Sequence, residues 1–202
     1  MKRSHDRILT THTGSLPRPN RLLKLLKDKE AGKLSDRASF ERQVKKAVKD
    51  AVRMQTETAI DVVNDGEMSK VGYSTYVTDR LTGFSGDSER RLRVADVADF
   101  PGFEKRWARD RSVRTLRRPL CTGPVSYRGQ EELQADTANL TAALSGVNPA
   151  EAFMSAASPG VISLFLENRH YPNHEAYIFA VAEAMKHEYD AIHRAGFILQ
   201  LD

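Results

Sequence analysis

The sequence predicts an α/β fold built on a parallel sheet. Short apolar segments alternate with longer amphipathic ones along all 202 residues. Strand–helix–strand alternation implies parallel strands joined by right-handed crossovers. Polar residues stand where the apolar segments end, at Gly14-Ser15, Asp65-Gly66-Glu67, Thr122-Gly123 and Asp202. No glycine-rich phosphate turn follows the first apolar segment, where Thr13-Gly14-Ser15-Leu16-Pro17 stands instead, so a dinucleotide-binding sheet is disfavoured. Barrels of the (β/α)8 type assemble their sites at strand C-termini. The pattern therefore points to the N-terminal five βα steps of such a barrel. The chain closes on a buried-type strand with nothing after it to cover that strand. Residues 1–202 are accordingly expected to be one incomplete, truncated barrel domain, with a charged insertion over about 85–118.

Each element has its own signal. Ile8–Leu16 reads as a strand running into a Gly–Ser turn, stopped by Pro17 and Pro19. Arg21–Lys29 reads as a short helix with Leu22, Leu25 and Leu26 on one face. Ser35 or Asp36 can cap a second helix running to about Thr58, in which Phe40, Val44, Ala47, Val48, Ala51 and Val52 recur at helical spacing. Ile60–Val63 is the second strand. A helix is expected around Phe103–Arg109, a third strand over Pro119–Val125 and a helix over Glu131–Leu144. A short helix near Pro149–Ala156 and a fourth strand over the apolar, β-branched Val161–Glu167 come next. His174–Ala195 has the strongest helical pattern, with Tyr177, Val181, Ala184, Met185, Tyr189 and Ile192 as its stripe and Gly196 at its C-terminal end. Phe197–Leu201 is the fifth strand.

Composition excludes several classes. Hydrophobic residues make up 40% and charged residues 29%, as in ordinary globular chains. No apolar run approaches the roughly 18 residues that span a bilayer. No apolar core follows basic Met1–Arg7, so the expected location is cytoplasmic. The single cysteine, Cys121, excludes an internal disulfide or a multi-cysteine metal site and reads as a small core residue. A net charge of +4 can attract acidic ligands. Its arginines concentrate between Arg90 and Arg118, where interspersed acids favour a solvated, ion-paired face over a site for an acidic ligand. No stacking array accompanies them, so nucleic acid is not an expected partner.

Four motifs occur in order. They are Thr10-Thr11-His12-Thr13-Gly14-Ser15-Leu16-Pro17-Arg18-Pro19; Asp65-Gly66-Glu67-Met68-Ser69-Lys70 followed by Tyr73, Tyr76 and Arg80-Leu81-Thr82-Gly83-Phe84; Cys121-Thr122-Gly123-Pro124-Val125; and Ala195-Gly196-Phe197-Ile198-Leu199-Gln200-Leu201-Asp202. Together they resemble the cobalamin-independent methionine synthase superfamily, over essentially the whole chain. The resemblance implies a zinc-dependent (β/α)8 methyltransferase. Such an enzyme transfers the methyl of 5-methyltetrahydrofolate, usually polyglutamated, to the thiol of homocysteine. It also implies site residues: Gly14 and Ser15, with Thr13 beside them, for the homocysteine carboxylate, and Glu67 and Asp202 for its ammonium. Asp65 reads as turn chemistry. Lys70, Tyr73, Tyr76 and Arg80 either line the mouth or pack a loop.

The superfamily's His-x-Cys zinc motif is absent from the sequence, and neither His12 nor Cys121 matches a ligand. No metal ligand is therefore assigned; zinc ligands are expected in a missing C-terminal part, and this chain alone is expected to be inactive. Two other readings stay open. One is an epoxide–coenzyme M type of alkyl transfer to a thiol. The other is a non-catalytic half-barrel that binds a ligand or pairs with a complementary half-barrel chain.

Overall fold

The structure, a computed structural model, describes residues 1–73, 75–88, 95–110 and 118–202. Helices α1 (Asn20–Glu30) and α2 (Arg37–Glu57) lead to strand β1 (Val62–Val63). Then come α3 (Val77–Arg80), β2 (Phe84–Ser85), α4 (Ala95–Ala98), α5 (Pro101–Asp110) and β3 (Leu120–Cys121). The order ends with α6 (Gln130–Leu144), β4 (Glu151–Ala156), α7 (Pro159–Phe165), α8 (His174–Arg194) and β5 (Ile198–Leu201).

Strands β1, β4 and β5 form a parallel sheet in that order. Val62 lies opposite Glu151, Phe153 opposite Ile198 and Ala156 opposite Leu201. The segment before α1 lies against β1 without forming a ladder of its own. The Asp61 and Val62 amides both donate to the Thr10 carbonyl, at 3.1 and 3.0 Å. Arg7 grips the Asp61 carboxylate with both terminal nitrogens, and the Thr10 amide adds a third donor at 2.8 Å. These bonds, Arg7's first, hold Asp61 well below the ordinary carboxylate range.

Local chemistry explains the main helices. The Asp36 carboxylate accepts from the Ser39 amide at 2.8 Å and caps α2. Val44, Ala47, Val48, Ala51 and Val52 then form one buried stripe that packs with Leu133, Leu140 and Met154. Asn173 caps α8 in the same way, through the Ala176 amide at 2.8 Å. Gly196 follows α8 in a left-handed conformation, at φ 85°. A second apolar cluster gathers Val77, Leu81, Cys121, Ile162, Leu166, Tyr177, Val181 and Met185.

The strand expectations need correction. Among the described residues the parallel sheet has three strands. Val161–Glu167, expected as the fourth strand, lies mostly in helix α7, because Ser158 accepts from the Val161 amide at 3.2 Å and Pro159 occupies the first turn. The expected helix near Pro149–Ala156 is instead β4, the central strand of the sheet. Its sequence has few β-branched residues, and burial between two neighbours overrides that weak propensity. Residues 119–125 contribute only β3, which pairs antiparallel with β2 outside the main sheet, Phe84 opposite Cys121. Cys121 is a fully buried core residue, and burial raises its thiol pKa. Of the expected arginine-rich face, residues 89–94 and 111–117 lie outside the described residues.

Charge is buried deep inside this fold. Arg80 is 5% exposed and pairs with Asp136 of α6 and with Glu188 of α8, the latter at 3.0 Å. The Tyr76 hydroxyl donates to Glu188 Oε1 at 2.6 Å and the Tyr127 hydroxyl to Oε2 at 3.0 Å. Burial alone would push the Glu188 carboxyl up, but Arg80 and Lys70 hold it below its ordinary value. Removing one partner of a buried pair leaves the other charge uncompensated. Glu188→Ala is therefore expected to destabilise the protein by about 3–5 kcal/mol, read by urea unfolding at neutral pH.

Candidate functional site

Four chain segments end at the same place. They are the turn after the first segment, at Thr13-Gly14-Ser15; the turn after β1, at Asn64–Glu67; and the ends of β4 and β5, at Ser155 and Asp202. The Asn64 side-chain amide donates to the Gly14 carbonyl at 3.1 Å. The Gln200 amide donates to the Thr13 carbonyl at 2.6 Å and to Asp202 Oδ1 at 2.8 Å. The Asp202 backbone bonds to Ala156 and Ser158, its amide donating at 3.1 Å and its carbonyl accepting at 2.9 Å. Of the five residues expected from the sequence, Thr13, Gly14, Glu67 and Asp202 lie together at the C-terminal edge of the sheet, and Ser15 is exposed beside them, its hydroxyl accepting from Arg18 Nη1 at 3.3 Å.

The turn that presents Glu67 is tightly determined. The Asn64 carboxamide oxygen accepts from the Gly66 amide, and Asp65 Oδ1 accepts from the Glu67 amide, both at 2.9 Å. Asp65 therefore serves the turn, as its sequence context suggests. Glu67 sits at φ 55°, a left-handed conformation that L residues seldom adopt. Its carbonyl accepts from Arg18 Nη2 at 2.9 Å and from the Lys70 amide at 3.1 Å. Surrounding bonds of this kind let a strained residue persist, and such residues cluster at sites.

The Glu67 carboxylate itself is 2% exposed, and its Oε2 has no hydrogen-bond partner in the chain. Burial raises its pKa, opposed by the nearby Lys70 charge. The Ser155 hydroxyl is likewise buried and without a partner. Glu67 Oε1 and Ser155 Oγ both face Gly14. A Cβ at Gly14 would stand 2.7 Å from Glu67 Oε1 and 2.9 Å from Ser155 Oγ, and its φ of 143° already favours glycine. Glycine thus keeps a small cup open between a carboxylate and a hydroxyl.

Behind the cup, His12 acts as a strut. The Gly14 amide donates to His12 Nδ1 at 3.2 Å, which leaves Nε2 protonated to donate to Gln55 Oε1 at 2.9 Å. Both ring nitrogens are occupied by the scaffold, so His12 is neither free base nor metal ligand here. Lys70, Tyr76 and Arg80 are buried and belong to the ion network. Tyr73 is 45% exposed and packs edge-on against Phe165. His187 and His193 are exposed on α8, as expected. Sequence reading missed Ser155, Asn64 and the Gln55 strut. The only hint of Ser155 was a polar residue inside the apolar Phe153–Ala157 run.

Among the described residues, no group of three or more His, Cys, Asp or Glu side chains could hold a metal ion. The residues present do not fit a zinc site. Nor is any described helix long and apolar enough to cross a membrane. A cavity of about 570 Å³ lies between α2, α3 and α6, lined in part by Lys70, Tyr76 and Arg80.

The fold is that of an α/β protein whose polar turns gather at the carboxyl ends of parallel strands, where such folds carry their ligands. Comparison narrows the class. Residues 8–95 match the family model of the cobalamin-independent synthase catalytic domain. A methionine synthase from Sulfolobus acidocaldarius is 26% identical over 194 residues, covering 96% of this chain and 50% of that protein. One from Thermococcus kodakarensis is 26% identical over 153 residues, covering 65% of this chain and 45% of its own length. The B12-independent methionine synthase from Shewanella sp. W3-18-1, solved in complex with selenomethionine, superposes with a TM-score of 0.66 at 20% identity, covering 96% of this chain and 50% of that one. A Listeria monocytogenes structure assigned to the same group gives 0.63 at 17% identity, covering 98% of this chain and 53% of that one. The chain is similar to these methionine synthases, and it spans about half the length of the curated relatives it matches.

The Glu67 pKa sets a pH signature. The unfolded chain ionises Glu67 near its ordinary 4.5 and the folded chain at a higher pH. Folding therefore carries a cost above the folded value, where the carboxylate is charged in both states. That cost fades as pH falls through the folded value and is gone below about 4.5. Glu67→Gln is expected to raise the Tm of the ligand-free protein at neutral pH, with the gain shrinking to nothing below the ordinary glutamate value. Thermal melts across pH check it.

Proposed function

We propose that this chain forms the amino-acid-binding part of a (β/α)8 methyltransferase barrel that makes methionine. In this reading residues 1–202 belong to one such domain, with residues 85–118 as an insertion, and the methyl of 5-methyltetrahydrofolate passes to homocysteine. The thiol sulfur bonds to the methyl carbon, the carbon–nitrogen bond to the folate breaks, and the proton lost by the thiol is balanced by one taken up on the departing folate nitrogen. The observation that carries the reading is the buried Glu67 carboxylate, whose Oε2 has no partner in the chain and whose Oε1 faces Gly14. A buried anion with a free acceptor suits a primary ammonium, whose charge offsets the desolvation.

The assignment of groups follows from chemistry. Glu67, with Asp202 beside it, takes the homocysteine ammonium. The backbone and hydroxyl donors at Gly14 and Ser15, with Thr13 adjacent, suit its carboxylate. Selenomethionine bound to the Shewanella relative supports an α-amino acid ligand for a protein of this fold. No metal-holding group belonging to this reading lies among the described residues, and no step is routed through one.

Coenzyme M, a thiol sulfonate without an ammonium, separates this reading from alkyl transfer to that thiol. Calorimetric titration is expected to show homocysteine binding, no coenzyme M binding, and loss of homocysteine binding in Glu67→Gln by roughly ten- to hundredfold. Equal affinity for both thiols overturns the amino-acid assignment.

A further inference from the structure

Ser155 lies on the central strand β4, opposite Gln200 of β5 and two residues short of Asp202's level in that strand pair. It is 2% exposed, and its hydroxyl finds no partner in the chain. Such a group costs stability when left alone, yet its position is firmly fixed. The buried Lys70 ammonium donates to the Ser155 carbonyl and lies 4.5 Å from the centre of the Tyr76 ring. The Tyr76 hydroxyl accepts from the Ala157 amide at 3.1 Å, and the Tyr189 hydroxyl donates to the Ala157 carbonyl at 2.7 Å. Both sides of the strand end are thus clamped by buried side chains, and the hydroxyl is aimed at the space over Gly14 that Glu67 also faces.

We propose that Ser155 is a specificity-determining residue of this site, its hydroxyl accepting one N–H of a primary ammonium whose other N–H groups go to the Glu67 carboxylate and Asp202. This rests on the amino-acid reading of the cup and deepens it. An ammonium has three donors, and the carboxylate of Glu67 faces the cup from one side only. The hydroxyl supplies a second acceptor on the opposite wall, and its own proton can be donated onward to the ligand carboxylate. A site built this way rejects the analogue lacking the ammonium strongly, because two buried acceptors would then stay unpaired.

The test uses the full chain and two thiols that differ only at the α-carbon, homocysteine and 4-mercaptobutanoate, titrated calorimetrically into wild type and Ser155→Ala. The expected result is a loss of homocysteine affinity of roughly ten- to hundredfold in the variant, with 4-mercaptobutanoate affinity unchanged. The ligand-free variant should melt no lower than wild type, since only a partnerless buried hydroxyl has been removed. Unchanged homocysteine affinity, an equal loss for both thiols, or a lowered Tm each overturns the role given to Ser155. Failure of wild type to prefer homocysteine over 4-mercaptobutanoate overturns the amino-acid reading itself, and the Ser155 role with it.

Discussion

Compensation of the Arg80 charge is the constraint on which the sheet's functional edge depends. A guanidinium that is 5% exposed cannot shed its proton, so the fold must bring anions to it. It does so from two helices far apart in sequence, Asp136 on α6 and Glu188 on α8. Burial works against the charged guanidinium, and the two carboxylates outweigh it, so its pKa is raised. Two tyrosine hydroxyls complete the shell of Glu188. One of them, Tyr76, also takes the Ala157 amide. The same buried network therefore locks two helices and the end of the central strand into one arrangement.

The cup beside it follows the opposite rule. In the network Arg80 and Glu188 meet opposite charges, Glu188 also meets two hydroxyls, and Lys70 meets a carbonyl. At the cup, Glu67 Oε2 and Ser155 Oγ are buried and meet nothing in the chain. Buried polar atoms are normally satisfied, and these two residues border one glycine, through Glu67 Oε1 and Ser155 Oγ. The rigid network next door holds those atoms unpaired without letting the strand end collapse over them.

Backbone strain concentrates at the same point. Glu67 and Gly66 are consecutive left-handed residues, at φ 55° and 66°. Asn64 and Asp65 hold that turn through their side chains, while Arg18 holds it from outside. Gln55 fixes His12, and His12 fixes the Gly14 amide. The site is thus positioned from α2 on one side and from the β4–β5 pair on the other. Structural relatives of the B12-independent methionine synthase type share this fold at TM-scores of 0.66 and 0.63.

Much of this was legible in the residues themselves. Helices α2, α6 and α8 announce themselves by spacing and caps, because amphipathic periodicity is a local property. The turn residues Gly14 and Asp65-Gly66-Glu67 are legible for the same reason: their chemistry acts over a few positions. The sequence determined an α/β chain with polar turns at its strand ends, and its motifs pointed to the superfamily. Only tertiary structure decided which apolar run became the central strand. Val161–Phe165 has the stronger β composition, but Ser158 and Pro159 start a helix there, and Phe153–Ala156 takes the place between β1 and β5. Tertiary structure also decided that Ser155 faces Glu67 and that Arg80 is paired inside the protein. Those are contacts between residues dozens of positions apart, and no local pattern encodes which distant partner will neutralise a buried charge.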